Sequence, residues 1–272
     1  PPAMSHESFT TPDGYRLIYD IEGSGPAVLW QHGLGASLSQ PLDVFPDIPV
    51  TRITLACRGH DESDLGPLEE LSIAKFTTDI LALLEYLKIE KLAAVGGISL
   101  GAAVSLRLAA YYPELVSRLI LARPACVDEP ALHGHRGYIE AGRHLELYGA
   151  KEGERRFRAS EVFRVIEATS PDNANSLLGF FTRPRPATTT ALLARLTKDW
   201  SGVPISMLEQ IRHPTLVIAN GEDFVHPISY AKTLAKIIPK AHFEEIPSKT
   251  QDATKYTTNF KAVLAKFITA AP

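Results

Sequence analysis

The sequence predicts an α/β protein built on a mostly parallel, doubly wound sheet, and three observations carry that expectation. Short, continuous apolar runs alternate with helix-period stretches along most of the chain. Those runs show no polar alternation, as strands covered on both faces require. The stretch from 126 to 204 has no strand-like run and is too long for a plain connection, so it reads as a helical insertion within the layered core.

Taken in order, Arg16–Ile21 follows the turn signal Asp13-Gly14 and stops at Gly23-Ser24-Gly25-Pro26, which marks a strand. Ala27–Trp30 and Thr51–Ala56 are apolar runs that end in Gln31-His32-Gly33 and Arg58-Gly59. Ile73, Phe76, Ile80, Leu83, Leu84 and Leu87 recur at helical spacing behind Ser72, a residue suited to capping. Leu92–Val95 is a strand, Ala102–Tyr111 a small-residue helix stopped by Pro113, and Leu119–Ala122 the next strand, ending at Arg123-Pro124. Within the insertion, helices are expected at about Gly137–Gly149, Glu154–Ala168 and Thr189–Asp199. The alternation resumes with strand Thr215–Ala219, helix Tyr230–Ile238, strand His242–Ile246 and a closing helix Tyr256–Ile268. The expected organisation is a core of residues 4–125 and 205–270 with an insertion at 126–204.

Bulk properties remove several classes of function. A net charge of -3 gives no reason to expect nucleic acid or an anionic membrane as a partner. No apolar run approaches the roughly 20 residues of a membrane span, and the N-terminus lacks the layout of a secretory signal. Pro1-Pro2-Ala3 ahead of Met4 reads as a cloning remnant. Cys57 and Cys126 are too few for a disulfide framework and read as free thiols, which makes a cytoplasmic location the expectation. No metal-binding spacing occurs, and no cofactor is expected.

The chemistry concentrates in Val95-Gly96-Gly97-Ile98-Ser99-Leu100-Gly101. A serine hydroxyl becomes a nucleophile when a base takes its proton and donors hold the developing oxyanion. A sharp strand-to-helix turn lifts Oγ clear of the sheet and needs glycine two residues before and two after. The helix that follows adds its positive end. Trp30-Gln31-His32-Gly33-Leu34 supplies the second loop: Leu34 N–H and Leu100 N–H are the expected oxyanion donors. His32 reads as a buried brace for that loop.

Strand-His-Gly, then Arg58-Gly59-His60, then the Gly97–Gly101 elbow, then Pro214–Ile218 running to Gly221-Glu222-Asp223 and Pro227, resembles the α/β-hydrolase superfamily in order and spacing. The resemblance covers about residues 8–268 and is nearest to esterase, lactonase and peroxidase-like members with a helical cap between the sixth and seventh strands. Members often carry Gly after Arg-Gly-His, where this chain has Asp61. The resemblance implies an acid after the seventh strand, which Asp223 matches; Glu222 is a weaker candidate. It also implies a histidine after the last strand, but Ile246-Pro247-Ser248-Lys249-Thr250-Gln251-Asp252 has none, and His242 opens that strand at the far end of the sheet.

Three readings stay open. His226, just before Pro227, replaces the family base; Gln251 marks a lost histidine; or Lys249 accepts the proton. Residues 130–200 carry eleven basic against eight acidic side chains, including Arg183-Pro184-Arg185, so the insertion reads either as a solvated surface or as arginine forks for an anionic or hydroxylated substrate. Phe180-Phe181 lines a pocket or packs a core. Arg123 lies on the active edge. The functional expectation is a serine hydrolase of a small-molecule ester or lactone using Ser99, Asp223 and His226, a possible homodimer. Carbon–carbon hydrolysis and perhydrolysis use the same serine site, whereas Ser99 argues against dehalogenase or epoxide hydrolase chemistry, which uses Asp there. The rival is a binding protein or receptor that kept the pocket and lost turnover.

Overall fold

The computed structural model describes residues 6–272, so the Pro1-Pro2-Ala3 reading lies outside the described residues. The strands are β1 (Glu7–Thr10), β2 (Arg16–Gly23), β3 (Ala27–Gln31), β4 (Thr51–Leu55), β5 (Ala94–Ile98), β6 (Leu119–Ala122), β7 (Thr215–Ala219) and β8 (Ala241–Glu245). They form one sheet in the order β1-β2-β4-β3-β5-β6-β7-β8. β1 and β2 join antiparallel, and every pair from β4–β3 to β7–β8 is parallel. The strand order reverses where β3 lies between β4 and β5, and a crevice for ligands opens outside the carboxyl ends of the strands at such a point.

Helices cover both faces because β5, β6 and β7 are buried along their whole length. On one face α2 (Ile73–Tyr86) and α3 (Leu100–Tyr111) pack Phe76, Ile80, Leu83 and Leu108 onto the sheet, with α9 (Ile228–Ile237) adding Leu234. On the other, α1 (Gln40–Val44) and α10 (Lys249–Ile268) bring Val44, Tyr256, Phe260 and Leu264 against Trp30 and Ile120. Ser72 caps α2, its side chain accepting from Lys75 N–H at 3.0 Å.

Between β6 and β7 lie α4 (Arg136–Arg158), α5 (Glu161–Thr169), α6 (Pro171–Leu178), α7 (Pro186–Leu196) and the short α8 (Ile205–Leu208). They enclose a separate apolar cluster in which Leu145, Phe157, Phe163, Ile166 and Leu177 are buried. None of the described helices is long and apolar enough to cross a membrane.

The structure corrects several expected bounds. The strand expected at Leu92–Val95 lies at Ala94–Ile98, because Gly96 and Gly97 belong to the ladder rather than to a turn. A Cβ on Gly96 would come within 2.7 Å of Ile120 Cβ and 2.9 Å of Trp30, so glycine there serves close packing inside the sheet. Gly149, at φ 74° and ψ -179°, interrupts α4 where the first insertion helix is expected to end, and a further break at Ser160, which caps α5, divides the helix expected over Glu154–Ala168. A first turn at Lys249–Gln251 precedes the closing helix and is set off from it by Asp252, whose backbone is extended at φ -162° and ψ 100°.

Candidate active site

Ser99 sits between β5 and α3 with φ 57° and ψ -108°, a conformation costly for any residue with a Cβ and therefore held by its surroundings. Its N–H donates to Ala122 C=O at 3.0 Å, and its C=O accepts from Ala103 N–H at 3.1 Å. The flanking glycines are steric requirements. A Cβ on Gly97 would approach Gln31 C=O to 2.6 Å and Gly101 Cα to 2.7 Å; one on Gly101 would approach Gln31 C=O to 2.4 Å. The elbow therefore folds tightly against the end of β3, which is where the His32–Leu34 loop begins.

That loop is braced by buried groups. His32 Nδ1 donates to Gly33 C=O at 2.8 Å while its Nε2 accepts from Cys57 N–H at 3.0 Å, the bracing role expected for it. Gly33 N–H donates to Gln40 Oε1 at 2.7 Å, and Gly35 N–H donates to His60 Nε2 at 2.9 Å. Burial pushes both imidazoles below their ordinary range, so they stay neutral and keep these hydrogen bonds. Between the two committed amides, Leu34 N–H has no protein acceptor among the described residues. Leu100 N–H, at the first position of α3, has no partner within its helix. Asp61 turns with φ 46° and accepts from Leu38 N–H at 2.8 Å, which ties the Arg58–His60 turn to the same loop.

The structure brings His226 to the serine. Its Nε2 lies 2.9 Å from Ser99 Oγ, and its Nδ1 lies 2.9 Å and 3.0 Å from the two oxygens of Asp223. The tautomer that satisfies all three contacts has Nδ1 protonated toward Asp223 and Nε2 free to accept from Ser99. Asp223 also accepts from the His226 backbone N–H at 3.0 Å, so acid and imidazole are locked within one turn after β7. Burial alone would raise the Asp223 carboxyl, but His226 and the Arg123 guanidinium outweigh it and hold the group well below the usual carboxylate range. Arg123, with φ 47° just past β6, donates to Asp223 Oδ2 from Nε at 2.8 Å; its Nη2 lies 2.7 Å from the same oxygen. Its place on the active edge was visible in the sequence. Its bond to a residue 100 positions away was not.

The other candidates do not reach Ser99. Gln251 is the third residue of α10 and forms a capping box with Ser248: its side chain accepts from Ser248 N–H at 3.3 Å, and Ser248 Oγ accepts from Gln251 N–H at 3.0 Å. Glutamine thus has a local structural role at that position. Glu222 accepts from Ser248 Oγ at 2.9 Å, away from the serine. Lys249, at about half exposure, lies 4.0 Å from Asp172 and over the Tyr256 ring. His242 is exposed on β8 against Phe267.

The pocket beside Ser99 is mostly aliphatic, with Leu34, Leu106, Leu121, Leu196 and Leu234 among its walls; Asp199 contributes its one fully charged side chain. Asp199 is already engaged, accepting from Ile73 N–H at 2.7 Å and from Trp200 N–H at 2.9 Å. His135 and Tyr138 close the pocket from α4; burial lowers the first and raises the second, which keeps both uncharged. Cys126 also lines it, as a free thiol pushed up to about 11 by burial. No insertion arginine lines the pocket, which corrects the arginine-fork expectation. Arg155 and Arg156 pair with Glu152 at the surface, and Arg183 and Arg185 donate to backbone C=O groups of the Gly59–Ser63 turn. Phe180 and Phe181 belong to the insertion's apolar cluster. Among the described residues no group of three or more His, Cys, Asp or Glu side chains converges to hold a metal ion.

A family model described as alpha/beta hydrolase fold matches residues 26–252. An uncharacterized protein of Mycobacterium tuberculosis is 30% identical over 268 residues, covering 90% of this chain and 74% of the relative. The 2-hydroxymuconate semialdehyde hydrolase of a Pseudomonas species is 24% identical over 276 residues, covering 95% and 92%. Among solved structures, the enol-lactonase from Burkholderia xenovorans superposes with a TM-score of 0.74 at 18% identity, covering 97% of this chain and 100% of that one.

Proposed function

The chain belongs to the α/β hydrolase fold family, and on that premise we propose that it is a serine hydrolase of a small, uncharged carboxylic ester or lactone. One observation carries the reading: the 2.9 Å contact from His226 Nε2 to Ser99 Oγ, with Nδ1 of the same ring on Asp223. In this reading Ser99 Oγ attacks the carbonyl carbon as its proton passes to His226 Nε2. The N–H groups of Leu34 and Leu100 receive the oxyanion. His226 then protonates the leaving oxygen, and water, deprotonated by the same nitrogen, releases the acid from the acyl-serine. Asp223 holds the ring in the useful tautomer and stabilises its protonated form.

An aliphatic pocket whose one full charge is a carboxylate favours a neutral acyl group. Desolvating a substrate carboxylate near Asp199 is unfavourable twice over, through lost hydration and through repulsion. Carbon–carbon hydrolysis by the same serine is the second reading, favoured by the likeness to the 2-hydroxymuconate semialdehyde hydrolase. The test is p-nitrophenyl acetate turnover with fluorophosphonate labelling, in the natural chain and in Ser99→Ala. Turnover and label that both vanish with Ser99 are expected. A folded protein that neither labels nor turns over an ester, yet binds small molecules tightly, favours the receptor reading instead. p-Nitrophenyl valerate should exceed p-nitrophenyl hemisuccinate in kcat/KM by about tenfold or more.

A further inference from the structure

Arg123 is among the most thoroughly buried charges in the chain, 7% exposed, and a buried guanidinium is costly unless every donor is used. Its fork is spent around the site: Nε and Nη2 on Asp223, Nη1 on Tyr256 Oη at 3.3 Å, and Nη2 also 3.4 Å from Asp172. Its backbone is equally committed, with N–H donating to Ile218 C=O at 2.7 Å and φ in the left-handed region. The guanidinium does not line the pocket beside Ser99. It shares Asp223 Oδ2 with the His226 ring, whose Nδ1 also contacts Oδ1.

We infer that Arg123 is a positioning residue for the Asp223–His226 pair: it fixes the carboxylate toward His226 Nδ1 and cancels much of that carboxylate's charge. The inference rests on the reading of Ser99 and His226 given above. A bare buried carboxylate beside an imidazole favours the protonated ring and so withholds the base as pH falls. With Arg123 sharing the carboxylate, less negative charge faces the ring, and the carboxylate oxygens stay aimed at Nδ1. Other groups face the pair from each packed element. These are Ser99 from the β5–α3 turn, His135 and Tyr138 from α4, Asp172 from α6, and Lys249 and Tyr256 from α10. Of these, Asp172 and Lys249 carry full charges; Asp172 lies 3.4 Å from Arg123 Nη2 and 4.0 Å from Lys249 Nζ, so it is shared between two cations, and Lys249 makes no contact with Asp223. That leaves Arg123 as the cation in direct contact with Asp223.

The experiment compares the natural chain with Arg123→Gln and Arg123→Lys by the pH profile of kcat/KM and by NMR titration of the His226 imidazole. In Arg123→Gln the acid limb and the NMR midpoint are both expected to rise by about one pH unit, as removing a cation close to an imidazolium does. Arg123→Lys, which keeps a cation without the fork and preserves the fold, is expected to raise both by less. It should also lower kcat on the order of tenfold at unchanged KM. Folded variants with the limb, midpoint and kcat of the natural chain overturn the inference. A natural chain without Ser99-dependent turnover overturns the hydrolase reading instead, and the NMR midpoints still decide the role of Arg123.

Discussion

Ser99 is 127 positions from His226 yet meets it at hydrogen-bond distance, and Asp223 holds the same ring from three residues away. His226→Ala is expected to lower kcat by about 10³-fold or more, since an unassisted serine hydroxyl is a poor nucleophile. Lys249→Ala, which removes a half-exposed side chain that contacts Asp172 and Tyr256, is expected to leave kcat within about twofold. Steady-state kinetics on one chromogenic ester checks both; the reverse ranking would restore Lys249 as the base. Ser99 was legible because its chemistry needs local neighbours, Gly97 and Gly101, that leave a pattern in sequence. His226 emerged only by elimination, since a histidine three residues after an acid has no signature of its own. The tie between Arg123 and Asp223, and the brace of His60 on Gly35, were not legible because they are contacts between distant turns.

At the scale of elements, apolar runs located the strands well, and the misses have physical causes. Glycine reads as a breaker, yet in β5 it permits two neighbouring strands and Trp30 to close in. At Gly149, with φ 74°, it does break the helical path, as a glycine in that position is expected to. Capping chemistry explains the start of α10, where Ser248 and Gln251 satisfy the first-turn amides. Two outcomes follow. Ser248→Ala is expected to cost about 1 kcal/mol, read as a lower midpoint of thermal unfolding. Gln251→His is expected to leave kcat within about twofold, because residue 251 is exposed at the helix start and Ser99 already has an imidazole. A tenfold gain in rate from Gln251→His would show that the segment after β8 reaches the serine.

The whole molecule is a two-faced sheet whose site edge is stiffened by neutral buried imidazoles. His32, His60 and His135 all have folded values below their ordinary range because of burial. Below about pH 6.5 the unfolded chain binds protons on these rings that the folded chain refuses, so stability falls as pH falls. The midpoint of thermal unfolding at pH 5.5 is therefore expected to lie at least about 2–4 °C below that at pH 7.5. A midpoint equal or higher at pH 5.5 contradicts this. The layered core was legible because strand and helix periods persist through it. The insertion was legible only as helical, since the path of its helices depends on contacts such as Arg183 with the Gly59 turn.

Asp223 and His226 leave the sheet on the same strand and are joined by a single bend. Their mutual alignment is therefore insulated from how the outermost strand docks. The segment after β8 and α10 support the turn from outside, through the Tyr256 hydroxyl on Arg123 and Ser248 Oγ on Glu222. New termini placed between 246 and 250 would therefore loosen the support behind this turn, through Ser248 on Glu222 and Tyr256 on Arg123, without parting Asp223 from His226 along the chain.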